Sequence, residues 1–323
     1  MLAPDAISNQ EPTGYVGRFA PSPSGPLHTG SLVCALASFL DARHNRGVWL
    51  VRMEDIDPPR EQPDADKLIL DCLTAHGLEW DKTVLFQSQQ TEAYKTALAQ
   101  LSEKALSYRC NCTRARLKSL KGRYDRHCID HPPSKDEPAA VKLNLPKVLA
   151  TLKHHSTTQL NTFIDGILGQ QYEKLQQSDD FVIHRKDGLF AYQLAVVVDD
   201  IAQNISHVVR GADLLSTTIK QQLLFFLFGA KPPAYSHIPL ITDTNGNKLS
   251  KQNHAPAVNT GTPEKNLIKA CRLLYLSNDH SDYSNLHQSS VNDILTWATQ
   301  QWNIKQLAKQ SAAVQSTFTE DEP

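Results

Sequence analysis

The sequence contains no long hydrophobic run, and its charges almost cancel. No apolar stretch approaches the roughly 20 residues that a membrane-spanning helix requires, so we expect no membrane contact. Residues 1–13 lack the basic start and the apolar stretch of a signal peptide, which predicts a cytoplasmic protein. A net charge of −1 argues against a protein that coats nucleic acid with its whole surface, although it is compatible with a local basic face.

Internal repeats are also absent, and the composition is that of an ordinary globular protein. The 323 residues are 40% hydrophobic and 21% charged, enough for about two domains with a buried core.

The first eighty residues alternate between strand-like and helix-like patterns. Residues 15–20 predict a short strand, and apolar residues then recur at helical spacing over residues 27–47. Residues 48–51 predict a second strand and residues 64–76 a second helix. This order predicts an α/β protein with a Rossmann-like, doubly wound parallel sheet covered by helices on both faces.

The alternation stops between residues 105 and 180, which indicates an insertion. It resumes with expected strands at 181–184, 206–210 and 238–242, a run rich in β-branched residues at 189–198, and a helix at 214–228. Further helices are expected from Thr262-Pro263-Glu264 onward and over residues 291–302.

Two short segments carry the strongest chemical signal. The first, Arg-Phe-Ala-Pro-Ser-Pro-Ser-Gly-Pro-Leu-His-Thr-Gly-Ser, occupies residues 18–31 at the end of the first predicted strand. Its prolines force an extended loop, and Gly25 and Gly30 let the backbone approach a ligand. The helix that comes next points its partly positive N-terminus at that ligand, and His28 in its first turn can donate to a phosphate oxygen. Alone, a polar loop with a capping histidine explains this pattern better.

The second segment is Lys-Leu-Ser-Lys-Gln at residues 248–252, after the last predicted strand and an Asn245-Gly246 turn. Lys248 and Lys251 would lie on a short loop with Ser250 between them, and two flexible ammonium groups suit a charge that appears only in a transition state. Alone, a solvated basic turn is the better explanation. Together, and each at the end of a strand, the two segments predict binding of ATP and attack on its α-phosphate.

The two segments resemble the two signature sequences of class I aminoacyl-tRNA synthetases, the first in its glutamate-specific form. Glutamine-specific relatives carry an acidic residue and an asparagine in the loop where this chain has Ser22 and Ser24. Further similarity lies at residues 52–57, 191–200 and 209–213. The resemblance covers residues 15 to about 256, with departures at Leu249, where many members have Met, and at Ser31, where many have His.

A substrate with two carboxylates and one ammonium needs cations and an anion at fixed positions. Arg18 and Arg210 can clamp carboxylates in bidentate fashion, Glu54 can hold the ammonium, and Tyr192 offers a hydroxyl. The resemblance implies that all four line the amino-acid site. The alternative is that Arg18 and Glu54 form an ion pair with a purely structural role. The expected glutamate-binding residues are Arg18, Phe19, Ala20, Pro21, Ser22, Glu54, Tyr192 and Arg210.

The resemblance also implies how ATP reacts. The α-carboxylate of glutamate would attack the α-phosphorus and expel pyrophosphate, which yields glutamyl-adenylate. His28 and Lys251 would be the catalytic residues that stabilise the developing charge, and Mg²⁺ would neutralise the phosphates. The expected ATP-binding residues are Pro21, His28, Gly30, Ser31, Lys248, Ser250 and Lys251.

Three cysteines cluster in the predicted insertion, as Cys110-Asn111-Cys112 and Cys128. Their thiolates can occupy three corners of a zinc tetrahedron, and His127 and His131 are the ordinary candidates for the fourth. The cluster resembles the zinc insertion of the glutamyl-queuosine synthetases, in which a tyrosine occupies the position of Tyr124. This resemblance implies one structural Zn²⁺ on the three cysteines and that tyrosine, and reduced thiols without a metal are the alternative.

Basic residues surround the cysteine cluster, with Asp125 as the single acid. In a chain of net charge −1, seven cations within eighteen residues predict contact with RNA phosphates rather than a solvated basic loop. The seven are Arg109, Arg114, Arg116, Lys118, Lys121, Arg123 and Arg126.

The nature of the acceptor is inferred from the short remainder of the chain after the second segment. Fewer than seventy residues lie beyond residue 256, less than a domain of roughly 100–200 residues, so we expect no separate anticodon-reading domain. Residues 248–257, Lys-Leu-Ser-Lys-Gln-Asn-His-Ala-Pro-Ala, again resemble the glutamyl-queuosine synthetases of tRNA(Asp). That resemblance implies tRNA-independent activation of L-glutamate and its transfer to the cyclopentene diol of queuosine in the anticodon of tRNA(Asp). The alternatives are a truncated synthetase that charges the 3′ end of tRNA(Glu) and a non-catalytic tRNA-binding paralogue.

These inferences combine into one expected organisation, a monomer with a zinc-containing insertion and a short C-terminal helical extension. The expected segments are a disordered N-terminus (1–13), the first half of the catalytic domain (14–104), the insertion (105–180), the second half of the catalytic domain (181–256), the helical extension (257–314) and a disordered tail (315–323).

Overall fold

The computed structural model describes residues 14–120, 124–155, 157–176, 179–240 and 256–307. Within these ranges, none of the helices combines the length and the apolar character needed to cross a membrane. The strands are β1 (Val16–Phe19), β2 (Val48–Met53), β3 (Leu85–Phe86), β4 (Ser107–Cys110), β5 (Ala140–Leu143), β6 (Thr162–Asp165), β7 (Gly169–Tyr172), β8 (Val182–His184), β9 (His207–Gly211) and β10 (Ala234–Ile238). The helices are α1 (Thr29–His44), α2 (Ala65–Ala75), α3 (Thr91–Glu103), α4 (Arg114–Ser119), α5 (His127–Asp130), α6 (Leu145–Thr151), α7 (Thr157–Asn161), α8 (Tyr192–Ala202), α9 (Thr218–Leu227), α10 (Pro263–Leu273), α11 (His280–Asn285) and α12 (Val291–Gln301).

Parallel strands form the centre of the fold. Strands β1, β2 and β3 make one parallel sheet, and β10 lies between β6 and β9 in a second sheet, parallel to both. The two sheets adjoin at β1, because the Val16 carbonyl accepts a 2.9 Å hydrogen bond from Ser206 N, directly before β9. The expected α/β architecture with a parallel sheet is therefore confirmed. The apolar sequences of β1, β2 and β9 are typical of strands buried on both faces.

Residues 105–180, the expected insertion, contribute to two places in the fold. Strands β4 and β5 join β8 in a separate antiparallel sheet. Strand β6 instead pairs with β10, with Asp165 opposite Tyr235, and continues into the antiparallel hairpin β6–β7. The part of the chain around Asp165 thus belongs to the central sheet, while the expected domain boundaries stay predictions.

One helix differs in detail from the sequence-based expectation, and another occupies a run for which no element was predicted. Helix α1 begins at Thr29 rather than near Leu27, so His28 is its N-cap residue and not part of its first turn. The β-branched run at 189–198 lies largely in helix α8, where residues 194–200 are all buried. Burial in the core outweighs the weak intrinsic preference of β-branched residues for strands.

The last strand is shifted, whereas the C-terminal helices agree with expectation. Strand β10 ends at Ile238, the residue at which the sequence pattern predicts a strand to begin, and residues 241 and 242 lie outside the described ranges. Helix α10 has Pro263 in its first turn, as predicted. The two chain ends that are expected to be disordered also lie outside the described ranges.

The C-terminal helices pack against the parallel-sheet core. Helices α10 and α12 contact α1, whose other face covers β1 and β2, in a single hydrophobic cluster. The indole of Trp302 donates a 2.9 Å hydrogen bond to Asp41 on α1. This packing holds the N-terminus of α1 against the carboxyl ends of the parallel strands.

Candidate active site and cysteine cluster

A cavity of about 540 Å³ opens at the carboxyl ends of β1, β2, β9 and β10. A parallel sheet binds its ligands at such an edge. Every predicted glutamate-binding residue lines this cavity, and so do the predicted ATP-binding residues that lie in described ranges: Arg18, Phe19, Ala20, Pro21, Ser22, His28, Gly30, Ser31, Glu54, Tyr192 and Arg210. The remaining predicted residues, Lys248, Ser250 and Lys251, lie outside the described ranges.

Both described flanks of the second segment adjoin the cavity. Leu240, directly before the undescribed stretch, lines it. On the other side, Ala257 forms an antiparallel bridge with His28, and Val258 N donates a 2.8 Å hydrogen bond to the Leu27 carbonyl. The first segment and the residues just beyond the second segment are therefore in contact.

The loop after β1 is fixed by the loop after β2. The Pro21 carbonyl accepts a hydrogen bond from Glu54 N, and the Pro23 carbonyl accepts one from Gln62 N, both at 2.9 Å. Gly25 has φ +127°, and a Cβ at that position would lie 3.0 Å from the Gln62 Oε1 atom. A glycine is therefore required there by backbone conformation.

His28 caps α1 and lines the cavity at the same time. Its Nδ1 atom accepts a 3.3 Å hydrogen bond from Ser31 N, and its Nε2 atom lies 3.0 Å from Ser31 Oγ. The capping role, which is the simpler explanation from sequence, is thus observed. Gly30 and Ser31, in the first turn of α1, line the same cavity.

Arg18 and Glu54 do not form the ion pair that was the alternative explanation from sequence; among the described residues each has another partner. Arg18 Nε lies 3.4 Å from Asp200 Oδ1, and neither terminal nitrogen of Arg18 has a hydrogen-bond partner in the described part of the chain. Glu54 Oε1 faces Arg52 Nη2 at 3.8 Å, too far for a hydrogen bond. Arg18 thus keeps both terminal nitrogens for a ligand, and Glu54 lines the cavity beside it.

A buried arginine beneath the cavity shares one carboxylate with Arg18. Arg52 is fully buried, and its Nη1 atom lies 2.7 Å from Asp200 Oδ1, the same carboxylate that contacts Arg18. Although burial opposes its charge, the Arg52 and Arg18 guanidinium groups lower the pKa of Asp200. Burial raises the pKa of Glu54 to about 7, against the opposing effect of Arg52 and Arg18.

Arg210 is held more tightly than Arg18. Its Nε donates to His237 Nε2 at 3.0 Å, its Nη1 to Gln221 Oε1 at 2.8 Å, and its Nη2 to Thr218 Oγ1 at 2.9 Å. Nη2 also lies 3.3 Å from the Leu214 carbonyl. Arg18 can therefore grip a carboxylate with two nitrogens, whereas Arg210 offers a fixed charge and one remaining N–H.

The three cysteines of the insertion converge on one point. The sulfur atoms of Cys110, Cys112 and Cys128 lie within 4.8 Å of one another, and the Tyr124 hydroxyl lies 3.3 Å from Cys110 Sγ. The Lys142 ammonium lies 3.8 Å from the centre of the Tyr124 ring. Four ligand atoms at such separations fit a tetrahedral metal ion.

His127 and His131, the other candidates for the fourth position, are exposed and do not belong to this group. Their rings stack on each other with centroids 4.3 Å apart.

Most of the described basic residues near the cluster form ion pairs or hydrogen bonds with other residues of the protein. Arg116 pairs with Asp125 at 2.6 Å, Arg126 pairs with Asp180 at 2.9 Å, and Arg109 donates to backbone carbonyls. Arg114 and Lys118 are exposed, and Lys121 and Arg123 lie outside the described ranges. The basic surface is thus smaller than the number of cations in the sequence indicates.

Sequence reasoning missed the groups that support the site. Asp200 and Arg52 lie within stretches that resemble the family, at 191–200 and 52–57, but the resemblance assigned them no role. Asp165 and His237, which adjoin Arg210, gave no signal, because their proximity depends on β6 lying next to β10.

Comparison with known proteins gives a consistent result. Residues 15–309 match the family model of the class I tRNA synthetases (E and Q), catalytic domain. The chain is 49% identical over 307 residues to the glutamyl-Q tRNA(Asp) synthetase of Escherichia coli O6:H1, which covers 95% of this chain and 94% of that one. It is also 49% identical to the enzyme of that name from Klebsiella pneumoniae, over 89% of this chain and 93% of that one.

Among solved structures, the fold is similar to that of a glutamate tRNA ligase from Elizabethkingia meningosepticum, with a TM-score of 0.70 at 22% identity. The match covers 90% of this chain and 65% of the ligase. At that identity the likeness concerns the fold alone.

Proposed function

Because the chain belongs to the family of class I tRNA synthetases for glutamate and glutamine, we propose that it activates L-glutamate with ATP and transfers the glutamyl group to queuosine in tRNA(Asp). The observation that carries the proposal is that Arg18, Glu54, Tyr192 and Arg210 line the same cavity as the start of α1. The acceptor is proposed from the names of relatives that share almost the whole length of the chain.

In this proposal the cavity recognises glutamate by charge. The two terminal nitrogens of Arg18, which have no hydrogen-bond partner among the described residues, bind one carboxylate in bidentate fashion, and Arg210 attracts the other. Glu54, which lines the cavity, holds the ammonium with its carboxylate. The Tyr192 hydroxyl completes the site, and burial raises its pKa, so that it stays a neutral donor.

The α-carboxylate then attacks the α-phosphorus of ATP, the bond to pyrophosphate breaks, and glutamyl-adenylate forms. The backbone N–H groups at the start of α1 and the His28 imidazole stabilise phosphate charge. We propose the same role for Lys251 on sequence grounds. Mg²⁺, when bound with ATP, would neutralise the phosphates.

Activation is proposed to need no tRNA, so it can be measured alone. Glutamate-dependent exchange of pyrophosphate into ATP should proceed in the absence of RNA. Strict dependence of the exchange on added tRNA would contradict this part of the proposal.

In the second step, a hydroxyl of the queuosine cyclopentene diol attacks the carbonyl carbon of glutamyl-adenylate, and AMP leaves. Labelled glutamate and ATP are incubated with tRNA(Asp) that contains or lacks queuosine, and with tRNA(Glu). We expect label only in the queuosine-containing tRNA(Asp). Equal labelling of both tRNA(Asp) forms, or labelling of tRNA(Glu), would overturn the acceptor.

We also propose that Cys110, Cys112, Cys128 and Tyr124 hold one structural Zn²⁺ that shapes the insertion, with the exposed Arg114 and Lys118 available to tRNA phosphates. Tyr124→Phe removes the hydroxyl and keeps the ring next to Lys142, so it should lose zinc to a chelator faster than the wild type. His127→Ala combined with His131→Ala is the matched control, and zinc loss in that variant instead would assign the metal to the histidines.

The enzyme is further proposed to act as a monomer in the cytoplasm, where ATP and tRNA are found. A mass measurement in solution that gives a stable dimer would contradict the first part.

A further inference from the structure

Three neighbouring strands of the second sheet each contribute one buried side chain to a linear chain of hydrogen bonds. Arg210 is on β9, His237 is opposite it on β10, and Asp165 is on β6 at the other side of β10. All three are at most 3% exposed. Only Arg210 lines the cavity, so the other two can act on a ligand only through it.

The geometry determines which nitrogen of His237 carries the proton. Arg210 Nε lies 3.0 Å from His237 Nε2, and an arginine nitrogen can only donate, so His237 Nε2 is the acceptor. His237 Nδ1 must then carry the proton, which it donates to Asp165 Oδ2 at 2.5 Å. Burial and the nearby Arg210 charge lower the pKa of His237, which keeps the ring neutral.

Asp165 is itself rigidly held. Its Oδ1 atom accepts hydrogen bonds from the backbone N–H groups of Ile167, Leu168 and His237, at 3.0, 2.9 and 3.1 Å. The hydrogen bonds from His237 and these amides lower the pKa of Asp165 although burial opposes its charge. The carboxylate therefore fixes both the turn of the β6–β7 hairpin and the tautomer of His237.

The remaining contacts of Arg210 leave its guanidinium little freedom. Thr218 and Gln221 on α9 accept from the two terminal nitrogens, and the Tyr235 ring lies 5.0 Å from the guanidinium carbon. Of the five N–H groups of the side chain, one on Nη1 has no hydrogen-bond partner among the described residues.

We propose that His237, oriented by Asp165, is a positioning residue that holds Arg210 where it receives a carboxylate of the amino-acid substrate. The inference rests on the proposed function, because the amino-acid site is assigned there. It adds two residues that do not touch the substrate, one of which lies in the stretch expected to be an insertion.

The first test is kinetic and uses glutamate-dependent pyrophosphate exchange. His237→Ala removes the acceptor for a charged donor, so the KM for glutamate should rise about 10- to 100-fold while the KM for ATP changes less than about twofold. His237→Gln, which keeps an acceptor oxygen, should raise it less. Asp165→Asn can turn an N–H toward His237, which favours the wrong tautomer, and should raise the KM for glutamate about tenfold.

His76 provides the matched control. It is also fully buried, but its Nδ1 faces the Cys72 carbonyl and its Nε2 faces Asn266, away from the cavity. His76→Gln should lower the melting temperature and leave the KM for glutamate within about twofold of the wild type. An unchanged KM for glutamate in folded His237→Ala or, if that variant does not fold, in His237→Gln and Asp165→Asn, would overturn the proposal.

A spectroscopic test does not depend on activity. Side-chain ¹⁵N spectra of the wild-type protein should assign His237 to the neutral Nδ1–H tautomer, and an Nε2–H or doubly protonated ring would overturn the inference. If the wild type fails to support glutamate-dependent exchange, the proposed function is wrong. The measured tautomer of His237 then still tests whether Asp165, His237 and Arg210 are linked by hydrogen bonds as described.

Discussion

The substrate cavity and the cysteine cluster both gather polar side chains from distant parts of the sequence, but they balance them differently. Beneath the cavity, buried charges are matched by other side chains, as in Arg52 with Asp200. In the cluster, the sulfur atoms of three cysteines and the Tyr124 oxygen face one another, with Lys142 as a nearby cation. The cavity is thus preformed by the protein itself, whereas the cluster has the donor set of a site that a metal ion completes.

The largest expected effect comes from removing the cation that balances the cavity. Arg52→Met should lower the free energy of unfolding by about 3–5 kcal/mol, because Asp200 would be left buried without its closest cation. Arg43→Met is the control, since its ion pair with Asp81 is partly exposed, and should cost about 0–1 kcal/mol. If urea denaturation gave the same loss of unfolding free energy for both variants, the buried Arg52–Asp200 pair would be no more important for stability than the exposed pair.

The next effect concerns the positive charge of Lys251, which lies outside the described residues. Lys251→Ala should slow glutamate-dependent pyrophosphate exchange about 100- to 1000-fold, because a transition-state contact would be lost. Lys265→Ala, an exposed position on α10, should leave the rate within about twofold. An unchanged rate in Lys251→Ala would remove this residue from the catalytic group.

A third variant separates the two regions. Cys128→Ser should release the proposed zinc and reduce glutamyl transfer to tRNA more than about tenfold, while pyrophosphate exchange without tRNA stays within about twofold. Cys271→Ala changes a buried cysteine in the core outside the cluster and should keep its zinc. Parallel loss of both activities in Cys128→Ser would mean that the two regions are not independent.

The smallest effect is a pH dependence of glutamate binding. Only ionised Glu54 attracts the substrate ammonium, and its pKa is raised to about 7, so its charge is lost as the pH falls through that value. The KM for glutamate should therefore be about tenfold higher at pH 6 than at pH 8. Glu54→Gln should bind weakly at both pH values, and a wild-type KM that does not change with pH would show that Glu54 does not hold the ammonium.

The sequence predicts which residues meet in the cavity better than it predicts what holds them there. Arg18 and Arg210 are the penultimate residues of β1 and β9, Glu54 directly follows β2, and parallel strands bring such positions to one edge. The contact of Arg210 with His237 and Asp165 instead depends on the order of β9, β10 and β6, which no local pattern encodes. Helix α8 shows the same limit, because its burial, and not its β-branched sequence, decides its conformation.

In the cysteine cluster, by contrast, the sequence leaves the identity of one site residue open. The three cysteines are recognisable from their spacing, but chemistry alone leaves Tyr124, His127 and His131 as candidates for the fourth ligand. In the fold, the Tyr124 hydroxyl lies 3.3 Å from the Cys110 sulfur, whereas the rings of His127 and His131 stack on each other and do not belong to the group.

The central claim is that glutamate is transferred to queuosine and not to the 3′ end of a tRNA. The most direct measurement uses queuosine-containing tRNA(Asp) from which the 3′-terminal adenosine has been removed, with labelled glutamate and ATP. We predict the same extent of labelling as for the intact tRNA. Loss of the label on removal of that adenosine would contradict it.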